Sequence, residues 1–569
     1  MSVSEPTPVV NSRRQTGVGV LLPTLGAALE VHLPEAEHAG AEALWRRHAA
    51  DLAAAVGWSP QLVAKPFPGG LSLALTAPRD ALYGAAEINE AAWAAADAER
   101  RGAPLPDRDE ALARIRREID DEHDPALVAL LAAADAHGVP ALWDDETVTL
   151  GYGVRGRSWP ADALPPPAAV TWSELGTVPL ALVTGTNGKS TTVRILAGIA
   201  EAAGETAGVS TTDYIAVGDD VLDTGDYSGP MGARATLADR RVTVGVLEVA
   251  RGGLLRRGLP VPTAAAVAVT NVAADHLGEY GIETVEALAE AKFLVAQALG
   301  PGGTLVCPAD EPVATAHARR LQPELARRNV RTVWTAYSPD ALGDGVDGAT
   351  VVDGTFALGR PGAWRPVCAV ADVPGTWDGT AEHVVKNALA ALALADALGM
   401  ATDAIADGLR AFKGDPDDNP GRANRFAVNG AVVVVDYAHN AHGLRALVRM
   451  ASHWPAARRL VLASTAGDRS DADLGAMADV LASFGADRYL LCDTPGYLRG
   501  RQPGELPRVL HEALVARGVA PDACTQHAGP LEATRDALGW ARDGDVVLLP
   551  TLSQRDAVTD LVRAASDAA

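Results

Sequence analysis

The hydrophobic period changes along the chain and divides it into units. Between residues 18 and 165, the segments HAGAEALWRRHAADLAAAVGW and RDEALARIRREIDDEH carry apolar residues at helical spacing, and VTLGYGVRG reads as a strand ending in a glycine turn. A Pro/Ala stretch, DALPPPAAV (162–170), reads as a linker. From about 178, strands and helices alternate. PLALVTG, RVTVGVLEVA and AAAVAVTNV are near-continuous apolar runs, and VEALAEAKFLVAQALG is a helix. Unbroken apolar strands mark a parallel sheet covered on both faces. Residues 330–380, rich in Gly, Val and Thr, read as an extra β-segment, and HVVKNALAALALADALG closes this unit. A second alternation starts near Gly421, with strands AVVVVDY, RLVLAS, RYLLCD and DVVLLP separated by helices such as GLRALVRMASHW and LGAMADVLASF. The expected fold class is α/β. It comprises a flexible tail (1–17), an α+β unit (18–165), a central α/β domain (176–420) and a smaller, doubly wound α/β domain (421–569).

Composition narrows the class. A chain of 569 residues is too long for one core. No apolar stretch approaches the roughly 20 residues of a membrane helix, so no membrane partner is expected. The start, MSVSEPTPVVNSRRQTG, is polar and has no signal-like apolar region. The four cysteines are far apart and form no CxxC pair, which argues against a disulfide framework or a zinc site and fits a cytoplasmic protein. A formal net charge of −23 argues against a nucleic-acid partner.

The chemistry begins at VTGTNGKSTT (183–192), placed between a strand and a helix. In Gly185-Thr186-Asn187-Gly188-Lys189-Ser190-Thr191 the glycines let backbone N–H groups turn toward an anion, and the helix N-terminus adds its dipole. Lys189 reaches the terminal phosphates of a nucleotide, and Ser190 is placed to ligate magnesium. The usual P-loop pattern has glycine where this chain has Val183, so the loop is a variant. Glu248 ends one strand (VGVLEVARGG) and His276 follows the next (TNVAADHLG), where open parallel sheets place their ligand crevice. Such a pair suits Mg²⁺ shared with phosphate oxygens.

TGTNGKS is the form carried by the Mur ligase family, which includes the folylpolyglutamate synthases and consists of ADP-forming amide ligases. The resemblance implies a Mur-ligase-like P-loop ATPase domain over 176–420, a Rossmann-like C-terminal domain over 421–569, and ATP with two Mg²⁺ ions held by Ser190, Glu248 and His276. It implies that Lys189, Glu248, His276 and Lys292 are catalytic, with Lys292 (ALAEAKFLV) carbamylated. HVVKNALAALALA resembles the family's H-x-x-x-N-A helix, so Asn387 faces adenine, with His383 one turn earlier. Arg422 contacts the γ-phosphate, and Asp436, in DYAHN, holds either the ribose or the hinge. Where family members continue DYAHN with proline, this chain has Ala441 and His442, which suggests a more mobile loop.

The resemblance narrows to the C-terminal half of the cyanophycin synthetases. TTDYIAVGDDVLDTGDYSGPMGAR (211–234), VLEVARGGLLRRGL (246–259), VTNVAADHLG (269–278) and LRGRQPGE (498–505) are the matching segments. They imply that Asp213, Arg234, Arg251, His439 and Arg469 (in Gly467-Asp468-Arg469) face substrate, with Arg256 near them. Arg499 and Arg501 either pair with a carboxylate or solvate a loop. LGYGVRGRSWP (150–160) resembles the lead-in to those enzymes' ATP-grasp domain, yet the phosphate loop follows so closely that this domain has no room. The N-terminal unit is then a substrate- or polymer-binding domain. The expected function is an acyl-phosphate-forming ligase joining an amino acid or amine to a carboxylate of a peptide or small molecule, in a homo-oligomer. The alternatives are a folylpolyglutamate- or polyglutamate-type ligase, and a P-loop ATPase or kinase without ligase activity.

Overall fold

The computed structural model describes residues 6–343 and 346–567. The N-terminal unit is built on a four-stranded antiparallel sheet in the order Val9–Gln15, Gly26–His32, Gly70–Thr76, Leu62–Phe67. Helices His38–Ala55 and Leu82–Arg100 cover one face, burying Trp45, Ile88 and Trp93 against Leu29 and Leu73. Trp45 Nε1 donates to Asn89 Oδ1 (2.9 Å), and Asn89 Nδ2 donates to Leu73 O (3.0 Å), so the polar tips in this core are satisfied. Helices Arg108–Glu122 and Pro125–Ala136 are each capped by an aspartate, Asp107 and Asp124.

Two expectations change here. Residues 9–15, assigned to the flexible tail, form the edge strand of this sheet; residues 1–5 of that assignment lie outside the described residues. The strand VVNSRRQ is polar after its first two residues and only Gln15 is buried, so no apolar period announces it; ladder bonds to Gly26–His32 make it. The Pro/Ala stretch at 162–170 is not a loose linker. It runs through short 3-10 turns and seats Val170, with Leu175 just after it, against Leu130, Val148 and Leu150 beside a small sheet, Ala141–Trp143, Thr147–Leu150, Arg157–Pro160. The strand Arg157–Pro160 leads through those turns directly to Leu180–Thr184.

The central domain holds an 11-stranded sheet. Its interior is parallel, in the order Ala207–Ser210, Val244–Glu248, Leu180–Thr184, Ala264–Val269, Leu299–Pro308, Arg331–Thr335, Gly348–Val352. Antiparallel strands extend both edges, including Thr355–Arg360 and Ala363–Ala369 from the expected β-segment. Helices Lys189–Ala202 and Glu382–Ala397 pack on one face, and Val285–Phe293 and Pro312–Arg327 on the other, which is why the strands read as unbroken apolar runs.

The C-terminal domain has a six-stranded sheet, Asn424–Val428, Ala431–Asp436, Val546–Pro550, Arg459–Ala463, Arg488–Cys492, Cys524–His527. Its first pair is an antiparallel hairpin and the rest are parallel. The α/β expectation therefore holds in both larger domains. No helix among the described residues is long and apolar enough to cross a membrane.

Candidate functional site

The C-terminal ends of the central strands open into one cavity of 1410 Å³, lined by the phosphate loop, the C-terminal domain and the N-terminal unit. The loop leaves strand Leu180–Thr184 and enters helix Lys189–Ala202 at Gly188. Gly188 has φ +84°, and a Cβ there would lie 2.2 Å from Asn387 Oδ1, so only glycine fits. This contact also places Asn387 against the loop. Thr270 Oγ1 (2.6 Å) and Asn271 Nδ2 (3.0 Å) donate to Asn187 O, and Asn187 N donates to Asn271 Oδ1 (2.9 Å). These bonds hold the loop's shape from the neighbouring strand end.

Two lysines meet at the loop. Lys189 Nζ donates to Thr186 O (3.2 Å) and stands 3.9 Å from Glu248 Oε1. Lys292 Nζ, buried, donates to Gly185 O (2.8 Å). Burial, reinforced by the Lys189 charge, pushes the Lys292 amine well below its usual range. Glu248 accepts from Thr212 N (3.2 Å) and Thr212 Oγ1 (2.5 Å).

The metal-type ligands fall into a different grouping from the expected one. Glu248 and His276 line the same cavity but do not share a ligand cluster among the described residues. Instead, Asp275, His276 and His439 bring ligand atoms within 4.8 Å of one another, and His276, Glu279 and Asp468 do the same. The reason is the loop after Ala264–Val269, where His276 adopts φ 51° and turns toward the C-terminal domain. Burial lowers the His276 imidazole to about 4 against the pull of Asp275, leaving it neutral at pH 7. Burial alone would raise the Asp275 carboxyl, but His439 and Arg469 outweigh it and hold it well below the carboxylate range. Asp275 Oδ1 is buried without a hydrogen-bond partner, although the Arg469 guanidinium is 2.6 Å away as an ion pair.

The C-terminal domain closes the other wall. Arg422 Nη2 donates to Ser190 Oγ (3.1 Å), which brings this C-terminal-domain arginine to the phosphate loop. Asp436 accepts from Ala423 N and Ala438 N, both at 2.7 Å, so it holds the hinge backbone. Desolvation pushes its carboxyl up to about 6, limited by those two N–H groups and Arg422. His383 Nδ1 is buried without a partner, and burial lowers that imidazole to about 4. Asn440 and Asn187 pair through their side-chain amides (3.2 and 3.3 Å), and Asn187 Nδ2 also reaches His442 Nδ1 (3.0 Å). The segment after DYAHN, expected to be more mobile, is thus tied to the phosphate loop.

Several expected substrate contacts are committed within the protein. Asp213, expected to face substrate, is held by three guanidiniums, those of Arg194 (2.7 Å), Arg422 (2.8 Å) and Arg555 (2.9 Å). Arg469 pairs with Asp275, Arg251 with Glu279, and His439 Nδ1 with Tyr437 O (2.8 Å). Arg234 stays open to the cavity, with Asp144 at 3.5 Å. Arg501 bonds Gly467 O and Arg469 O and pairs with Asp471 and Glu505, so it braces a loop; Arg499 pairs with Asp468. Sequence reasoning missed Asp275 and Asn271, although both lie inside the quoted VTNVAADHLG. It also missed Arg194 and Arg555, for which no local pattern exists.

Comparison with known proteins bears on the same regions. The Mur ligase middle domain matches residues 183–344, and the Mur ligase glutamate ligase domain matches residues 421–550. A cyanophycin synthetase of Synechocystis sp. is 36% identical over 329 residues, which is 58% of this chain and 37% of that protein. The chain thus spans less than half the length of such relatives. A UDP-N-acetylmuramoylalanine–D-glutamate ligase of Streptomyces avermitilis is 32% identical over 326 residues, covering 56% of this chain and 57% of that one. Among solved structures, E. coli FolC in complex with DHPP and ADP aligns with a TM-score of 0.52 at 21% identity, over 68% of this chain and 89% of that chain.

Proposed function

The chain belongs to the Mur ligase family, and from that premise we propose that it is an ATP-dependent, ADP-forming ligase joining an amino acid or other amine to a carboxylate. The observation that carries this reading is the meeting of two domains at one loop. Lys189 of the central domain and Arg422 of the C-terminal domain converge there, the latter on Ser190. A kinase or simple switch needs no second α/β domain reaching into its phosphate loop.

The residues perform the steps as follows. The loop N–H groups and the helix N-terminus bind the nucleotide phosphates, and Lys189 with Arg422 draws charge from the terminal one. The substrate carboxylate attacks that phosphorus, the bond to the bridging oxygen breaks, and ADP leaves. The resulting acyl phosphate is attacked by the amine, which loses a proton as phosphate departs and the amide forms. Closure of the two α/β domains excludes water that would hydrolyse the acyl phosphate.

The donor set Asp275, His276 and His439, a carboxylate with two imidazoles whose ligand atoms lie within 4.8 Å of one another, fits a divalent metal. Bound there, it would supply charge neutralisation to the nucleotide phosphates. Lys292 fits a carbamate, because a neutral, desolvated amine is the form that adds CO₂. On the N-terminal side of the cavity, Arg14, Arg256 and Arg257 make no ion pair with an acid among the described residues, which suits an acceptor bearing carboxylates. The similarity to cyanophycin synthetases supports a peptide-like acceptor.

The test is phosphate release from ATP and Mg²⁺ across the twenty amino acids, each with and without aspartyl or glutamyl peptides, with mass spectrometry of the products. Release that requires one amine and one acceptor, with the matching amide mass, is expected. ATP turnover indifferent to every pair, with no amide formed, refutes the ligase reading.

A further inference from the structure

Asp213 is the unusual group in this site. Its two oxygens take Arg194 and Arg422 on one side (2.7 and 2.8 Å) and Arg555 on the other (2.9 Å). These side chains are largely shielded, at 10% exposure for Asp213 and 4%, 13% and 16% for the three arginines. Asp213 therefore faces three cations in a partly dry crevice, where the other acids are the exposed Asp556, 3.4 Å from Arg555 Nε, and Asp436, whose carboxyl Arg422 draws down. A surplus of buried positive charge is costly unless an anion completes it.

The surplus is aimed at the phosphate loop. Arg422 spans from Asp213 to Ser190 Oγ. The Tyr437 ring lies beside both Arg422 and Arg555, with guanidinium carbons 5.4 and 5.6 Å from its centroid, so the two sit on one aromatic platform. Arg555 opens helix Arg555–Asp567 of the C-terminal domain and lines the cavity. Arg555 is also packed into the hinge. Gly421 has φ +64°, and a Cβ there would fall 2.1 Å from Arg555 Cδ. Hinge and guanidinium are thus fitted to each other, and Asp213 and Arg555, 342 residues apart, couple the two domains.

We propose that Arg555 is a second C-terminal-domain arginine for the terminal phosphoryl group of the nucleotide, with Asp213 the positioning residue that presents Arg555 and Arg422 together. This rests on the nucleotide reading of the phosphate loop. It adds a contact specific to the transferred group: two guanidiniums from the C-terminal domain and Lys189 from the central domain surround the third phosphate, while ADP needs only the loop. Charge-assisted hydrogen bonds from planar guanidinium forks suit that anion.

The experiment is calorimetric titration of the full chain, in Mg²⁺, with ADP and separately with AMPPNP. Arg555→Ala is expected to bind ADP within about twofold of the wild type and AMPPNP at least tenfold more weakly. Arg563→Ala, on the same helix and paired with exposed Asp417, serves as the control and is expected to change neither. If Arg555→Ala melts, Arg555→Gln, which keeps most of the stem, repeats the comparison. Equal weakening of both nucleotides, or no weakening of AMPPNP, overturns the proposal and leaves the phosphate loop standing. Wild-type protein that binds neither nucleotide overturns both this inference and the ligase reading.

Discussion

Replacing Gly188 by alanine tests the site at its tightest point. The residue sits at φ +84°, and a left-handed conformation costs a non-glycine residue about 1–2 kcal/mol. The new Cβ would lie 2.2 Å from Asn387 Oδ1 and 3.0 Å from its Cγ, well inside the 3.4 Å of ordinary contact. The Asn387 amide must therefore retreat in a packed environment, adding about 1 kcal/mol. The total loss is about 2–3 kcal/mol, read from urea denaturation. Because Asn387 is displaced, ADP affinity measured by calorimetry should also fall about tenfold. Gly198, one helical stretch onward, is the internal control. Its nearest neighbour to an added Cβ is Gly408 O at 4.0 Å, so Gly198→Ala should gain about 0.5–1 kcal/mol and leave ADP binding alone. A Gly188→Ala variant within about 0.5 kcal/mol of the wild type, or with unchanged ADP affinity, would refute the coupling of loop to Asn387.

Three further outcomes are expected. Lys189→Ala should lower amide synthesis on the order of 10³-fold or more with circular dichroism unchanged, and near-normal synthesis would remove Lys189 from the mechanism. Asp275→Asn should weaken Mn²⁺ binding, followed by electron paramagnetic resonance, roughly tenfold or more; unaltered binding would place the metal elsewhere. His383, lowered to about 4 by burial, binds its proton less readily folded than unfolded. Its contribution is full above pH 6.5 and is lost as pH falls toward 4, by at most about 3 kcal/mol. His383→Gln should flatten that part of the stability–pH curve relative to the wild type, and superimposable curves would sink the assignment.

What the sequence by itself determined was local. Strand runs such as LALVT and VGVLE are buried at every position and almost wholly apolar because helices cover both faces of the sheet, so period and order alone announce a parallel domain. The phosphate loop, the Asn387 helix and the hinge at Gly421-Arg422 are contiguous and keep their spacing whatever the rest of the chain does. Tertiary structure decided everything that depends on pairing distant segments. Val9–Gln15 is a strand because a partner supplies its ladder, not because of its own polar sequence. The Lys292 amine is pushed well below its usual range because its helix buries it under Gly185, 107 residues away. His276 joins Asp275 and His439 rather than Glu248 because a left-handed turn re-aims it. Arg555 lies in an unremarkable stretch, and only the closing of the C-terminal domain against the central one brings it to Asp213. Charge and ligand chemistry act over a few ångströms in space. A pattern along the chain reveals them only where neighbours in space are also neighbours in sequence.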